Sequence, residues 1–329
     1  MADRAALASD FLRIAGWADA RRHPLAGDAS DRSYERLSRN DQTAILMNAP
    51  PGQGDDPADF VKIARYLAEI GLSAPAVLAT DLQGGFLLLE DFGDALFARL
   101  LHGDPAQERA LYTAATDVLV HLARAPLPPD IPDLTAQDWG QAANLARVHY
   151  AEPLVGPTDE PGFLAFLSTA LRRHADGPRI FIHRDFHAEN LILLPGRPNL
   201  RQVGILDFQL GQAGQPGYDL VALLQDARRD VTPQTEVAMT ARYADALNLD
   251  PTAFQASYAT LGAQRALRIL GIFARLARHS GKSRYLPMIP RVWDQLQRNL
   301  AHPALAELRA ACAVLPAPSA QTLRLLAPT

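Results

Sequence analysis

The spacing of hydrophobic positions changes along the chain and predicts two differently built parts. In the first part, Phe60, Ile63, Leu67 and Ile70 recur at helical spacing, and Gly71 gives that helix a natural end. Alternating or apolar runs predict strands at 27–37, 43–47, 76–80 and 85–90, after an amphipathic helix at 2–21. The rest of the chain is mostly helical, apart from one β-rich interruption. The pattern therefore predicts a small β-rich lobe followed by a larger helical lobe.

The β-rich interruption, residues 179–208, carries the most informative polar side chains. The apolar runs RIFIH, LILL and VGILDF surround a PGRPN turn and predict short strands around a hairpin. Such a hairpin brings Asn190 and Asp207 together, which gives the oxygen ligands that Mg²⁺ prefers when phosphates supply the others. Asp185, earlier on the same loop, is then free to accept a proton from a hydroxyl nucleophile.

Composition narrows the class of protein. With 329 residues, 48% hydrophobic, the chain is long enough for two domains or two lobes. The net charge of −4 gives no basic field for nucleic acid, and the single cysteine, Cys312, excludes an intramolecular disulfide framework. No apolar run fits a signal peptide or a membrane span. We therefore expect a cytoplasmic monomer that binds neither nucleic acid nor membrane.

A metal-hydrolase interpretation of the same loop is also open. His183, Asp185 and His187 alternate as metal ligands on a strand do, but a zinc site needs further imidazole or carboxylate ligands. The neighbouring pair, Asn190 and Asp207, suits magnesium better than zinc. We therefore favour the magnesium interpretation.

The pattern H-x-D-x-x-x-x-N followed by I-x-D-F resembles the aminoglycoside phosphotransferase and choline kinase branch of the protein-kinase-like proteins. This resemblance implies an α+β, protein-kinase-like bilobal fold, with a small β-rich N-lobe at 1–90 and a large, mostly helical C-lobe at 91–329. It also implies ATP and Mg²⁺ as cofactors. Asp185 would be the catalytic base, and Asn190 and Asp207 would hold the metal.

The resemblance carries over to further positions. The segments GDASDRSY and LLLEDFG occupy the places of the phosphate-covering loop and the hinge that meets adenine. They imply that the cofactor is bound by Ser30, Arg32, Ser33, Met47, Glu90, Asp91 and Phe92. The resemblance also implies that the acceptor is bound by His187, Glu189 and Gln209. It gives His183 and Asp219 structural roles. For His187 a purely local hydrogen-bonding role is equally consistent, and Asp219 fits a helix N-cap as well.

One departure from the family pattern concerns the lysine that contacts the nucleotide phosphates. The expected position on the third strand is Met47, and the chain has only two lysines, Lys62 and Lys282. Either Lys62 or an arginine such as Arg32 therefore handles the phosphates, or the nucleotide site is degraded. The complete set of catalytic-loop residues argues against degradation, although a non-catalytic nucleotide-binding regulator stays open.

From about residue 23 to 300 the chain is similar to the bacterial anomeric kinases of N-acetylmuramate and N-acetylglucosamine. The charge of residues 261–329 agrees, because ten basic side chains oppose only Asp294 and Glu307, a local net charge of 10 − 2 = +8. Such a region favours a sugar with a lactyl carboxylate and opposes a polycationic aminoglycoside. We therefore expect a small-molecule sugar as acceptor, while homoserine-type, choline-type and aminoglycoside acceptors remain alternatives.

Overall fold

The structure, a computed structural model, describes residues 3–25, 32–158 and 161–328. The chain forms two compact units. Unit 1 consists of Met1–Val118 and Ala188–Gly211, and unit 2 consists of Leu119–His187 and Gln212–Thr329. The predicted α+β class is confirmed, since unit 1 contains an antiparallel sheet and unit 2 is mostly helical.

The strands and helices of the described residues are numbered in chain order. The strands are β1 (Arg21–Leu25), β2 (Ser33–Arg39), β3 (Gln42–Asn48), β4 (Val77–Asp81), β5 (Phe86–Glu90), β6 (Ile180–Ile182), β7 (Leu191–Leu193), β8 (Val203–Ile205) and β9 (Gln212–Gly214). The helices are α1 (Arg4–Ile14), α2 (Pro57–Glu69), α3 (Phe97–Gly103), α4 (Glu108–Arg124), α5 (Ala136–Ala143), α6 (Glu152–Val155), α7 (Pro161–His174), α8 (Tyr218–Leu224), α9 (Pro233–Ala246), α10 (Pro251–Ser280), α11 (Ile289–Leu300), α12 (Ala306–Ala311) and α13 (Ala320–Leu325).

The main sheet of unit 1 is antiparallel, with the strand order β1-β2-β3-β5-β4. Helix α1 buries its apolar side against this sheet, where Phe11 stacks on Phe86 of β5 with ring centroids 5.7 Å apart. Leu37 of β2 and Leu46 of β3 belong to the same core cluster. Alternate side chains of each strand thus point to the α1 side, as the period of two predicts.

Strand β1 was not predicted from the sequence. The predicted helix over 2–21 ends instead at Ile14, because Gly16 adopts a φ of +76° and reverses the chain. The following segment, Arg21–Leu25, is polar, and it forms an edge strand that tolerates Pro24. Because this strand is short and its side chains are mostly exposed, no hydrophobic period marks it in the sequence.

The predicted hairpin is confirmed. Strands β7 and β8 pair antiparallel, with Leu191 opposite Ile205. Two isolated bridges, Ser73 to Gly204 and Leu96 to Ile192, join the hairpin to the rest of unit 1. These contacts explain why 188–211 groups with the first unit, whereas the sequence-based division assigned everything after residue 90 to one lobe. That lobe division at residue 90 stays a prediction.

Unit 2 is built around α10, whose residues are largely buried along its 30-residue length. The helix packs closely against the π-helical turn Ala146–Ala151. Gly271 permits this approach, since a Cβ there would lie only 2.1 Å from the carbonyl carbon of Leu145. Across the described residues, no helix is both long enough and apolar enough to cross a membrane.

Gly271→Ala should therefore destabilise unit 2. The added methyl group meets backbone atoms that cannot rotate away, so we expect a loss of about 1–3 kcal/mol in the free energy of unfolding. The matched control is Gly177→Ala, where a Cβ would meet nothing within 4 Å. Urea denaturation of both variants measures the difference, and equal stabilities would show that α10 does not pack as described.

Candidate active site

The residues predicted to form the active site fall into two groups, one in each unit. Unit 1 contains the residues assigned to the nucleotide and the metal, and unit 2 contains Asp185 and its surroundings. Each group has its own local geometry.

A cavity of about 510 Å³ in unit 1 collects most of the predicted nucleotide-side residues. Its apolar walls include Ile45, Leu89 and Ile192, which suit a flat aromatic ring. Its polar lining includes Arg32, Glu90, Asp91, Asn190, Asp207 and Gln209, with Phe92 beside them.

The β7–β8 hairpin positions the candidate metal ligands in this cavity. The backbone N–H of Leu206 donates to the carbonyl of Asn190 at 2.9 Å, so the residues flanking the two strands are neighbours. Asp207 follows with a φ of +58°, a backbone conformation uncommon outside glycine. Such backbone geometry is concentrated at functional sites, where the surrounding structure holds it.

The carboxylate of Asp207 is surrounded by donors. Arg32 and Gln209 each donate to its Oδ1, at 3.1 Å and 3.0 Å. The Arg32 guanidinium also lies 3.5 Å from Oδ2 of Asp55, in the loop before α2. In the same cavity, burial raises the pKa of the Tyr34 hydroxyl. The charge of Arg32 lowers this pKa, and the charges of Asp207 and Asp55 raise it. The side chain of Arg32 is only 8% exposed, so its charge acts where water screens it little.

These residues fit a magnesium ion bound with nucleotide phosphates. Asp207 and Asn190 offer a carboxylate and an amide oxygen on one cavity wall, and Mg²⁺ takes few protein ligands when phosphates complete its shell. A zinc site is not supported: among residues 3–25, 32–158 and 161–328, no cluster of three or more His, Cys, Asp and Glu side chains is arranged to hold a metal.

The segment that follows β5 is fixed by its own side chains. The Glu90 carboxylate pairs with Arg197 and accepts from the backbone N–H of Ala76 at 3.2 Å. Asp91 Oδ1 accepts from Arg36 Nη2 at 3.0 Å, and Arg36 Nε lies 2.8 Å from Asp91 Oδ2. These side chains are therefore occupied within the protein and hold the segment in place.

Phe92 is held at the same place by close packing. The Arg197 guanidinium lies 5.0 Å from its ring centroid. On another side, a Cβ at Gly204 would lie 2.7 Å from the ring, so only glycine allows this contact. The ring is thus fixed as part of the cavity wall.

Among the described residues, four of those predicted for cofactor or substrate do not line this cavity: Ser33, Met47, His187 and Glu189. Ser30 lies outside the described residues. Ser33 is exposed on β2, and Met47 is buried within β3, opposite Tyr34 and Leu87. Glu189 is exposed on the helical turn Ala188–Asn190.

In unit 2, a buried carboxylate holds the strand end that leads to Asp185. Oδ2 of Asp219 accepts from the backbone N–H of His183 at 2.5 Å, and its Oδ1 accepts from that of Arg184 at 2.8 Å. Arg184 has a φ of +78°, so the chain turns sharply there. The N-cap interpretation of Asp219 is wrong, because Gly217 takes the N-cap position of α8 and the carboxylate is used by the loop instead.

His183 contributes to the same turn. Its Nδ1 accepts from the backbone N–H of Asp185 at 3.3 Å, and its ring meets Phe186 edge-on at 5.7 Å. The imidazole is buried. The predicted structural role therefore has a specific geometry, in which His183 stabilises the backbone on both sides of Arg184.

The Asp185 carboxylate lies in a cationic environment. Burial alone would raise its pKa, but Arg265 and Arg268 of α10, together with His187 and His183, lower it to about 2. Asp185 is therefore ionised at neutral pH. A carboxylate in this state orients a hydroxyl group strongly and accepts its proton only as the nucleophile loses electron density.

His187 is buried and neutral. Burial is the main reason why its pKa is lowered to about 4. Arg228 and Arg265 also lower this pKa, whereas the carboxylates of Asp226 and Asp185 raise it. Arg228 Nη1 lies 3.2 Å from His187 Nε2, which requires that nitrogen to accept. The contact with Arg228 shows that His187 has at least the local hydrogen-bonding role considered above.

Several site residues were missed from the sequence. Asp55 was not predicted, and Arg265 and Arg268 were counted among the ten basic residues of 261–329 without being distinguished from the others. The helical spacing of three between these two arginines was the available signal, because it places both on one face of α10. For Asp55, the sequence offered no comparable pattern.

Residues 21–256 match the Phosphotransferase enzyme family (APH). An N-acetylmuramate/N-acetylglucosamine kinase of Caulobacter vibrioides is 40% identical, over 94% of this chain and 95% of its own length. A kinase of the same name from Pseudomonas aeruginosa is 33% identical, over 89% and 88%.

The fold has a structural counterpart as well. The crystal structure of a choline/ethanolamine kinase family protein from Mesorhizobium loti superposes with a TM-score of 0.62 at 16% identity, covering 94% of this chain and 99% of that one. The chain therefore belongs to the phosphotransferase enzyme family. Its predicted protein-kinase-like fold is confirmed.

Asp219→Ala should lower both stability and activity. It leaves two buried backbone N–H groups without an acceptor, so we expect a loss of about 3 kcal/mol in the free energy of unfolding. Asp230→Ala is the control: its carboxylate is 82% exposed and pairs with Arg291, so its loss should cost about 1 kcal/mol or less. Urea denaturation and phosphotransfer assays measure both effects, and similar losses in the two variants would contradict the bracing role.

Proposed function

We propose that this protein is an ATP-dependent kinase that phosphorylates the anomeric hydroxyl of N-acetylmuramate, N-acetylglucosamine or both, in the salvage of cell-wall sugars. The observation that carries the proposal is the match of nearly the whole chain, 94% of it, to a kinase named for these two sugars. The monomeric state and the cytoplasmic location remain predictions that belong to this proposal.

The roles of the residues follow from their chemistry. The acceptor oxygen attacks the γ-phosphorus of ATP, the bond to the β–γ bridging oxygen breaks, and ADP leaves. Asp185 orients the acceptor hydroxyl and receives its proton, which its ionised state at neutral pH allows. Asn190 and Asp207 would hold Mg²⁺, which neutralises phosphate charge when bound. Most of the catalytic effect then comes from positioning and electrostatic stabilisation.

We assign the phosphate-binding cation to Arg32. It lines the unit 1 cavity beside Asp207 and Asp55, and these two carboxylates hold its guanidinium in place. Protein kinases pair a strand lysine with a helix glutamate for this task. The Arg32–Asp55 pair would be a replacement of that pair, since Met47 stands at the lysine position. An arginine suits the role because its planar group matches phosphate oxygens.

Charge argues against the other acceptors. An aminoglycoside is a polycation and choline is a cation, so both are opposed by the surplus of +8 (10 − 2) in residues 261–329. Homoserine is zwitterionic, and charge does not separate it from the sugars. A non-catalytic regulator would have no need for Asp185, Asn190 and Asp207 together. The amino sugars therefore remain the favoured acceptors.

The first test is ATP consumption with Mg²⁺ and a panel of acceptors: N-acetylmuramate, N-acetylglucosamine, glucose, homoserine, choline and kanamycin. We expect turnover on the two N-acetyl sugars. Asp185→Asn should reduce kcat by about 10²–10⁴-fold while ATP affinity is retained, because only proton transfer and orientation of the hydroxyl are lost.

Each other outcome has a definite meaning. Turnover on kanamycin but not on the sugars would contradict the charge argument. ATP binding without turnover on any acceptor would favour a nucleotide-binding regulator. Unchanged turnover in Asp185→Asn would remove Asp185 from the mechanism.

A second test separates the two candidates for the phosphate-binding cation. Arg32→Gln should raise the KM for ATP and lower kcat, together reducing kcat/KM for ATP by about 10²-fold, because a buried charge contact to phosphate is lost. Lys62→Gln should change kcat/KM by less than about 3-fold. Steady-state kinetics at saturating acceptor measures both, and the opposite ranking would assign the role to Lys62.

A further inference from the structure

The charged groups around Asp185 in unit 2 do not balance. Three guanidinium groups, those of Arg184, Arg265 and Arg268, interact electrostatically with two carboxylates, those of Asp185 and Asp219. Asp219 is already used, because both of its oxygens accept backbone N–H groups. Among the residues that the structure describes, this cluster therefore has one positive charge more than its carboxylates neutralise, in a largely buried place where such a surplus is costly.

The next charged side chains along the chain do not supply the missing negative charge. Arg228 donates from Nη1 toward His187, and its backbone N–H donates to Oδ1 of Asp226. Arg228 and Asp226 thus bring one positive and one negative charge to the neighbourhood of His187. They leave the surplus at Asp185 unchanged.

The two arginines of α10 have donor capacity to spare, and so does Arg184, whose buried Nε also has no hydrogen-bond partner among the described residues. Arg265 and Arg268 stand three residues apart on α10 and therefore on one helix face. Arg265 is only 4% exposed, and its buried Nε has no hydrogen-bond partner among the residues that the structure describes. Arg268 Nη1 lies 3.5 Å from the Tyr218 hydroxyl oxygen, at the outer limit of a hydrogen bond.

Other basic side chains of the C-terminal region are placed differently. Arg291 forms a two-pronged ion pair with Asp230, at 2.6 and 2.9 Å. Arg298 pairs with Glu236 at 2.8 Å. Arg275, on α10 itself, is exposed. Arg265 and Arg268 are thus distinguished from these by both burial and proximity to Asp185.

We propose that Arg265 and Arg268 together bind the carboxylate of an acidic sugar acceptor, and so make the site selective for N-acetylmuramate over N-acetylglucosamine. This inference rests on the proposed function. The two sugars differ by the lactyl ether, which adds one carboxylate to the acceptor. That single negative charge balances the cluster, and its two oxygens match the paired donors of a guanidinium.

A neutral acceptor gives these two arginines no carboxylate to bind. An acidic acceptor forms charge-assisted hydrogen bonds with them in a desolvated site. We therefore expect kcat/KM for N-acetylmuramate to exceed that for N-acetylglucosamine by about 10-fold or more. The competing explanation is that the two arginines only keep Asp185 ionised and in position. In that case, their removal would affect both sugars equally, because Asp185 acts on either acceptor.

The test measures kcat/KM for three acceptors: N-acetylmuramate, its methyl ester and N-acetylglucosamine. The ester keeps the shape of the acid and removes its charge. In the unmodified protein, the acid should be favoured over the ester by about 10-fold or more. This comparison needs no variant, so it is independent of whether a buried arginine can be replaced without unfolding.

Variants then assign the effect to residues. Arg268→Gln should reduce kcat/KM for N-acetylmuramate by about 30-fold and for the ester and N-acetylglucosamine by less than about 3-fold. Arg265→Lys keeps the charge but loses the planar pair of donors, so an intermediate loss is expected for the acid alone. Arg275→Gln removes the same charge from an exposed position of the same helix and should leave all three values unchanged.

Two results would overturn the proposal. One is equal use of acid and ester by the unmodified protein. The other is an equal loss on all acceptors in Arg268→Gln, which would make the arginine a positioning residue for Asp185. In both cases turnover on N-acetylglucosamine would leave the proposed function standing. Absence of turnover on every sugar would instead refute the proposed function, and this proposal with it.

Discussion

The acceptor side of this protein depends on one buried carboxylate. Asp219 is 4% exposed and accepts the backbone N–H groups of His183 and Arg184, immediately before Asp185. Burial raises the pKa of Asp219, and the two backbone donors and His183 counteract that effect. Two hydrogen bonds to one carboxylate fix two successive peptide units, so the direction in which the chain leaves β6 is determined.

This fixed turn explains the charges around it. An ionised Asp185 next to a buried Asp219 would be repelled by it, and the guanidinium groups of α10 compensate for that repulsion. Arg265 and Arg268 stand on a helix that Gly271 allows to pack without a gap. The loop, its carboxylates and the arginines therefore form one electrostatic unit. A phosphotransferase gains from this arrangement because its catalysis is mainly electrostatic.

On the nucleotide side, we propose that Arg32 takes the place of the usual lysine. This arginine is buried next to Asp207 and Asp55 in unit 1, and it would supply the positive charge that nucleotide phosphates require. The position of Met47 in β3 is consistent with this, because a buried thioether leaves the third strand without charge. The neighbouring Arg36 is already paired with Asp91 and Asp94, so it stabilises the segment after β5.

The parts of the structure that the sequence predicted were those with local causes. The hairpin and the juxtaposition of Asn190 and Asp207 follow from a turn between two apolar runs, and both were predicted correctly. Strand β1 was not, because an exposed edge strand has little hydrophobic pattern. The partners of Asp219, Asp55 and Arg265 depend on contacts between distant segments, which no local spacing determines. The family resemblance identified the chemistry, whereas the arrangement of charges required the structure.

We propose that the protein transfers a phosphoryl group to the anomeric oxygen of an N-acetyl sugar. The decisive experiment is ³¹P and ¹H NMR of the product made from ATP and N-acetylmuramate. We expect a sugar 1-phosphate, recognised by coupling of phosphorus to the anomeric proton and by loss of the phosphate in mild acid. A product phosphorylated at another hydroxyl, stable in acid, would contradict it.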